Sequence, residues 1–83
     1  MNVGEEVKAV LGQVLRLVDA ARNFDESTAL FGAIAEFDSM AVITVVTTLE
    51  ERFDIVVEDD EITADIFETV GSLTRFIQGK LAA

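Results

Sequence analysis

Residues 37–55, FDSMAVITVVTTLEERFDI, decide how this chain is read. An advance of roughly 100° per residue from Ser39 puts Val42, Val45, Val46, Leu49 and Phe53 in one sector. That sector is about 100° wide, enough for a core-facing helix stripe. Met40, Ile43, Thr44, Thr47, Glu50 and Glu51 fall on the other side. Asp38 is a good N-cap, so the stretch predicts an amphipathic helix from Ser39 to about Phe53. Ser39 lies at its N-terminus, on the border between the two faces. Met40 and Ile43 are apolar where a free-standing helix would be polar, so the outer face carries an apolar patch beside the serine.

Working outward, Asn2 is a helix cap with Glu5 three residues on and Glu6 in the first turn. Val3, Val7, Val10, Leu11, Val14, Leu17, Val18 and Ala21 recur at spacings of three and four, predicting one helix to about Ala21 or Arg22. Residues 23–38 form a long connection. Asp25, Glu26, Ser27 and Thr28 are turn and cap residues, and Gly32 permits a left-handed bend. Phe24, Leu30, Phe31, Ile34 and Phe37 are too many apolar residues for a solvated loop, and they are expected to pin it across the helix ends. Ile55-Val56-Val57 is expected as an extended connector, and the acids Glu58 to Glu61 as the lead-in to a short helix near Glu61 to Phe67. Thr69, with Ser72 three residues on, caps a last helix whose Val70, Leu73, Phe76 and Ile77 share a face. Gly79 is the expected terminator, with Arg75 and Lys80 suiting the negative helix end. Three main helices and one short one make an all-α, small four-helix bundle.

Composition narrows the function. Eighty-three residues suit a single domain, 1–83. Apolar residues make up 51%, which argues against disorder despite a net charge of −10. That charge opposes binding to nucleic acid and anionic membranes and favours basic protein surfaces. No apolar run has the ~18 residues of a membrane span, and the N-terminus lacks signal-peptide order, so a soluble, cytoplasmic monomer is expected. With no histidine and no cysteine, the commonest general base and strongest nucleophile are missing. Ser39 is better suited to being modified by an enzyme than to acting as one, and no catalytic residue is assigned. The acids at 58–61 lack the alternating ligands and glycine of a calcium loop, so no metal site is assigned either.

Asp38-Ser39-Met40 opening a helix that ends in Leu49-Glu50-Glu51-Arg52-Phe53 resembles the carrier-protein superfamily, which comprises acyl carrier proteins and the related peptidyl and aryl carrier domains. Ile62-Thr63, Phe67 to Val70 and Leu73 to Ile77 extend the resemblance over essentially the whole chain. It implies a bundle of acyl-carrier type and a 4′-phosphopantetheine arm on Ser39, moved there from coenzyme A by a phosphopantetheinyl transferase that recognises Asp38. It also implies partner enzymes that load, condense or transfer acyl or aminoacyl groups held as thioesters. Met40, Ile43, Thr44 and Thr47, with Glu36, Glu50 and Glu51 around them, are the expected partner face, its acids steering basic docking surfaces. Ala41 and Thr44 stand where many fatty-acid carriers place acids, which favours a dedicated lipid, polyketide or peptide-type pathway over a generic fatty acid synthase. Val42, Val46, Phe53, Ile66, Phe67 and Phe76 are read as ordinary core rather than as an acyl cavity. The competing reading is an acidic helical interaction module that carries no arm. It accounts for the charge but not for the motif spacing around Ser39.

Overall fold

The computed structural model describes residues 2–34 and 37–82, and is all-α. The helices are α1 (Val3–Leu15), a single turn α2 (Val18–Ala21), α3 (Ser39–Phe53) and α4 (Val70–Ala82). Two 3-10 turns, Asp59–Glu61 and Ala64–Phe67, stand between α3 and α4. The first helix packs against each of the other three, so it forms the spine of the bundle. Val7, Val10 and Leu11 of α1 are wholly buried against Val45 and Leu49 of α3 and Leu73 and Ile77 of α4, with Leu30, Phe37 and Phe67 closing the core from the connections. Removing each such side chain from water stabilises the fold by about 1.5–3 kcal/mol.

Local chemistry sets the helix starts. Asn2 accepts the Glu5 N–H at 3.0 Å and Asp38 accepts the Ala41 N–H at 2.9 Å. Thr69 and Ser72 exchange backbone-to-hydroxyl bonds in both directions at 3.0 Å. Gly32 takes φ +88, the left-handed bend that glycine permits.

Four expectations are corrected. The first helix does not run to residue 21: Arg16 turns left-handed at φ 58 and the Leu17 N–H donates to the Gly12 carbonyl at 2.8 Å. The chain then folds back across Gly12, where a Cβ would lie 2.9 Å from that of Ala21, so the missing side chain is what admits α2. This rotates Val18 out of the stripe, leaving it 56% exposed. The short helix near Glu61 to Phe67 is instead the two 3-10 turns with Ile62-Thr63 extended between them, because Glu58 and Glu61 cap each other and close the first turn early. Gly79 does not end α4, which continues to Ala82. Phe31 does not pin the loop from inside but stays half exposed, whereas its neighbour Leu30 is wholly buried.

Side-chain anchors and backbone pairing together hold the long connection: Leu30 and Phe37 lie in the core, and Phe24 and Ile34 pack against it. Leu30 and Phe31 donate to the carbonyls of Glu68 and Phe67 at 2.9 and 3.0 Å, while Val70 and Gly71 donate back to Thr28 and Glu26 at 3.0 Å. The Ala29–Thr69 bridge at its centre joins the two connections like a short clasp. Among the described residues no helix is long and apolar enough to cross a membrane.

Candidate functional site

The start of α3 is fixed by its cap. Asp38 is extended (φ −101, ψ −173), its carboxylate takes the Ala41 N–H and its carbonyl the Val42 N–H at 3.0 Å. The cap turns the chain sharply into the helix and leaves Ser39 exposed on its first turn. The first amides of a helix have no partner within it, and with the helix dipole they favour an anion there.

Ser39 opens onto a cleft of about 320 Å³. Val42 and Ile43 of α3 form one wall, Ile62, Thr63, Ala64 and Phe67 the other, and Phe31 borders the mouth. The mouth and the far wall are each supported from behind. The Phe31 ring meets Phe37 edge-on at 6.3 Å, and Phe37 packs on Phe67 at 5.8 Å. The far wall is tied to α4 where the Ser72 hydroxyl donates to the Ile66 carbonyl at 3.0 Å and Lys80 bonds Glu61 at 2.6 Å. The Lys80 hydrogen bond, helped by the Glu58 N–H at 2.9 Å, holds the Glu61 carboxyl below its ordinary 4.5 against a small opposing effect of burial.

Most of the residues expected to form a partner face are exposed where the periodicity puts them. Met40 is 70% and Ile43 58% exposed, and Thr44, Thr47 and Glu51 are exposed beside them. Glu50 is half-buried, and its carboxylate accepts the Val57 N–H at 2.8 Å, so it anchors the connector that leaves α3. Glu36 lies outside the described residues. Of the six residues read as core, Val46, Phe53 and Phe67 are buried and Val42, Ile66 and Phe76 are partly buried against the core, while Val42 and Phe67 also line the cleft. The sequence reading missed Phe31, Thr63 and Ala64. Nothing in Leu30-Phe31 distinguishes the side chain that turns in from the one that stays out, whereas Ile62-Thr63 had a signal in its family motif. Among the described residues no cluster of three or more acidic side chains is arranged to hold a metal ion.

The site fits a phosphodiester-linked arm: an exposed hydroxyl, a helix N-terminus for the phosphate and a mostly apolar cleft beside both. Comparison with known proteins agrees. The family model described as a phosphopantetheine attachment site matches residues 5–77. An acyl carrier protein from an Exiguobacterium species is 33% identical over 81 residues, covering 98% of this chain and 91% of that one. The solution NMR structure of a holo acyl carrier protein from Nitrosomonas europaea superposes with a TM-score of 0.92 at 48% identity, over the whole of both chains. The chain therefore belongs to the phosphopantetheine-attachment family, in its acyl carrier branch, whose members are carriers and not enzymes. Its cofactor is 4′-phosphopantetheine.

Proposed function

We propose that Ser39 is the residue that bears the arm, and that the chain presents acyl or aminoacyl groups, as a monomer, to the enzymes of one dedicated lipid, polyketide or peptide-type pathway. The observation that carries the assignment is the position of Ser39, an exposed hydroxyl at the capped start of a long helix and on the rim of an apolar cleft. The other two serines offer no such position. Ser72 spends its hydroxyl on Ile66, Thr69 and the α4 cap, and Ser27 sits in the turn closed by Asp25.

The arm supplies a terminal thiol, which a chain without cysteine lacks, and on which cargo rides as a thioester. The residues of this chain do the rest. Ser39 Oγ attacks the pyrophosphate of coenzyme A at the phosphorus that bears the arm, forming the phosphodiester and releasing adenosine 3′,5′-bisphosphate, with a base belonging to the transferase taking the hydroxyl proton, since the chain has no histidine. Asp38 keeps the first turn in register for that encounter through its bond to the Ala41 N–H. Tethering holds the cargo at high effective concentration for each enzyme that docks. Thr44, exposed on α3, and Ala41, partly buried against the core, stand where many fatty-acid carriers place acids, which supports a dedicated pathway over a generic fatty acid synthase. The net charge of −10 draws basic surfaces from a distance.

The test is intact-protein mass after incubation with coenzyme A and a broad-range phosphopantetheinyl transferase. Wild type gains one phosphopantetheine and Ser39→Ala gains none. Equal gain in both would move the arm to another residue, and no gain in either would favour the armless interaction module.

A further inference from the structure

Thr63 stands at the N-cap of the second 3-10 turn, with the extended backbone of that position (φ −123, ψ 162). A cap side chain ordinarily spends its oxygen on an amide two or three residues on. Asn2, Asp38 and Thr69 do so in this chain. Thr63 does not: its hydroxyl makes no capping hydrogen bond, and the residue is exposed. The same residue lines the cleft that opens at Ser39. Among the described lining residues only Ser39 and Thr63 have polar side chains, one at the start of α3 and one on the facing wall. Thr63 lies between Glu61 and Ile66, the two points where Lys80 and Ser72 of α4 hold that wall. Its place opposite α3 is therefore fixed from behind.

Given that Ser39 bears the arm, we infer that Thr63 is a positioning residue for it, its hydroxyl hydrogen-bonding one of the two amides of phosphopantetheine along the cleft. The methyl and methylene groups of the arm suit Val42, Ile43 and Phe67. An amide carried in with them leaves water and needs a partner. The Ser39 oxygen is consumed in the phosphodiester, so Thr63 is the lining side chain left to supply one. A hydroxyl can donate to an amide carbonyl or accept from an amide N–H, so it serves either side of the group. Apolar walls hold the arm without registering it, whereas one polar contact at a fixed place sets how far along the cleft it lies. A single such bond favours the seated arm roughly 2- to 10-fold, weak enough for a docking enzyme to draw the arm out.

The test uses holo protein whose arm carries 15N at both amides, made from labelled coenzyme A, with Thr63→Val and Thr63→Ser alongside. Valine keeps the shape and removes the hydroxyl, and serine keeps the hydroxyl. In wild type one arm amide is expected to show a nuclear Overhauser contact to the Thr63 methyl and an order parameter above about 0.6, the bound for flexible segments. Thr63→Val should drop that amide below the bound, and Thr63→Ser should keep it above. Thermal melts of the three proteins should coincide, because the Thr63 hydroxyl holds no cap. Two flexible arm amides in wild type would overturn the inference, as would equal ordering in Thr63→Val or loss of ordering in Thr63→Ser. A lower melt for Thr63→Val would make the hydroxyl structural and count against it as well. Intact mass keeps this apart from the assignment of Ser39. One phosphopantetheine on wild type and none on Ser39→Ala, with flexible arm amides, removes only the role of Thr63. An arm absent from Ser39 removes both.

Discussion

The helices α1 and α3 are built alike at their ends and used differently along their lengths. Each starts on a side-chain cap, Asn2 or Asp38, and each ends on a left-handed residue other than glycine, Arg16 at φ 58 or Asp54 at φ 55. Between those ends α1 is enclosed by three neighbours and puts Val7, Val10 and Leu11 wholly out of water. The other helix buries one stripe and leaves Met40 and Ile43 in solvent on the opposite face. Equal local construction therefore does not mean equal function. One helix is the spine that holds the bundle, and the other leaves its outer face and first turn in solvent.

The largest expected effect that separates the two is core truncation. Leu11→Ala should cost about 2–5 kcal/mol, lowering the melting temperature by roughly 4–8 °C for each kcal/mol, whereas Ile43→Ala should stay within about 0.5 kcal/mol. Chemical denaturation of both variants measures this, and comparable losses would mean that the outer face of α3 is covered by something in the free protein.

The next effect tests the fold-back at the end of α1. Gly12→Ala places a methyl 2.9 Å from the Ala21 Cβ and 3.2 Å from the Val18 backbone, and overpacking should cost about 1–2 kcal/mol. Gly79→Ala meets nothing within 4 Å inside α4 and should gain about 0.5 kcal/mol by restricting the unfolded chain. A neutral Gly12→Ala would show that α2 yields easily.

A third comparison sharpens the role of the α3 cap. Asp38→Ala should lose about 1 kcal/mol, while Asp38→Asn keeps a side-chain oxygen for the Ala41 N–H and should melt close to wild type. If the transferase recognises the charge, Asp38→Asn slows loading at unchanged stability. Normal loading of Asp38→Asn would confine Asp38 to capping.

The smallest effect lies away from both helices, in the Glu61–Lys80 bond. Because the folded Glu61 carboxyl is held below its ordinary 4.5, its contribution is present above that value and is lost as the pH falls through the lower folded one. The melting-temperature gap between wild type and Lys80→Gln should therefore be constant near neutrality and close in acid below 4.5. A gap that persists at the acid end would assign the effect of Lys80 to its packing over Phe76, whose ring centre lies 5.9 Å from the ammonium.

What the sequence determined by itself is the content of short-range chemistry. Helix starts at Asn2, Asp38 and Thr69 follow from side chains reaching amides three residues away, and the period of α3 sets which residues are buried and leaves Met40 and Ile43 outside. The position of Ser39 at a helix N-terminus was legible for the same reason, and its family motif pointed to the cofactor. What only the tertiary structure decided depends on residues far apart in the chain. The break at Arg16 needs Ala21 and Val18 to settle on Gly12. The clasp between residues 26–31 and 67–71 pairs backbones that no side-chain pattern announces. The cleft beside Ser39 exists because Lys80 and Ser72 of α4 hold the 3-10 segment opposite α3. Periodicity reports which face of an element is apolar, but what lies across from that face is settled by long-range contacts, and here those contacts shape the cleft and bring Phe31 to its edge.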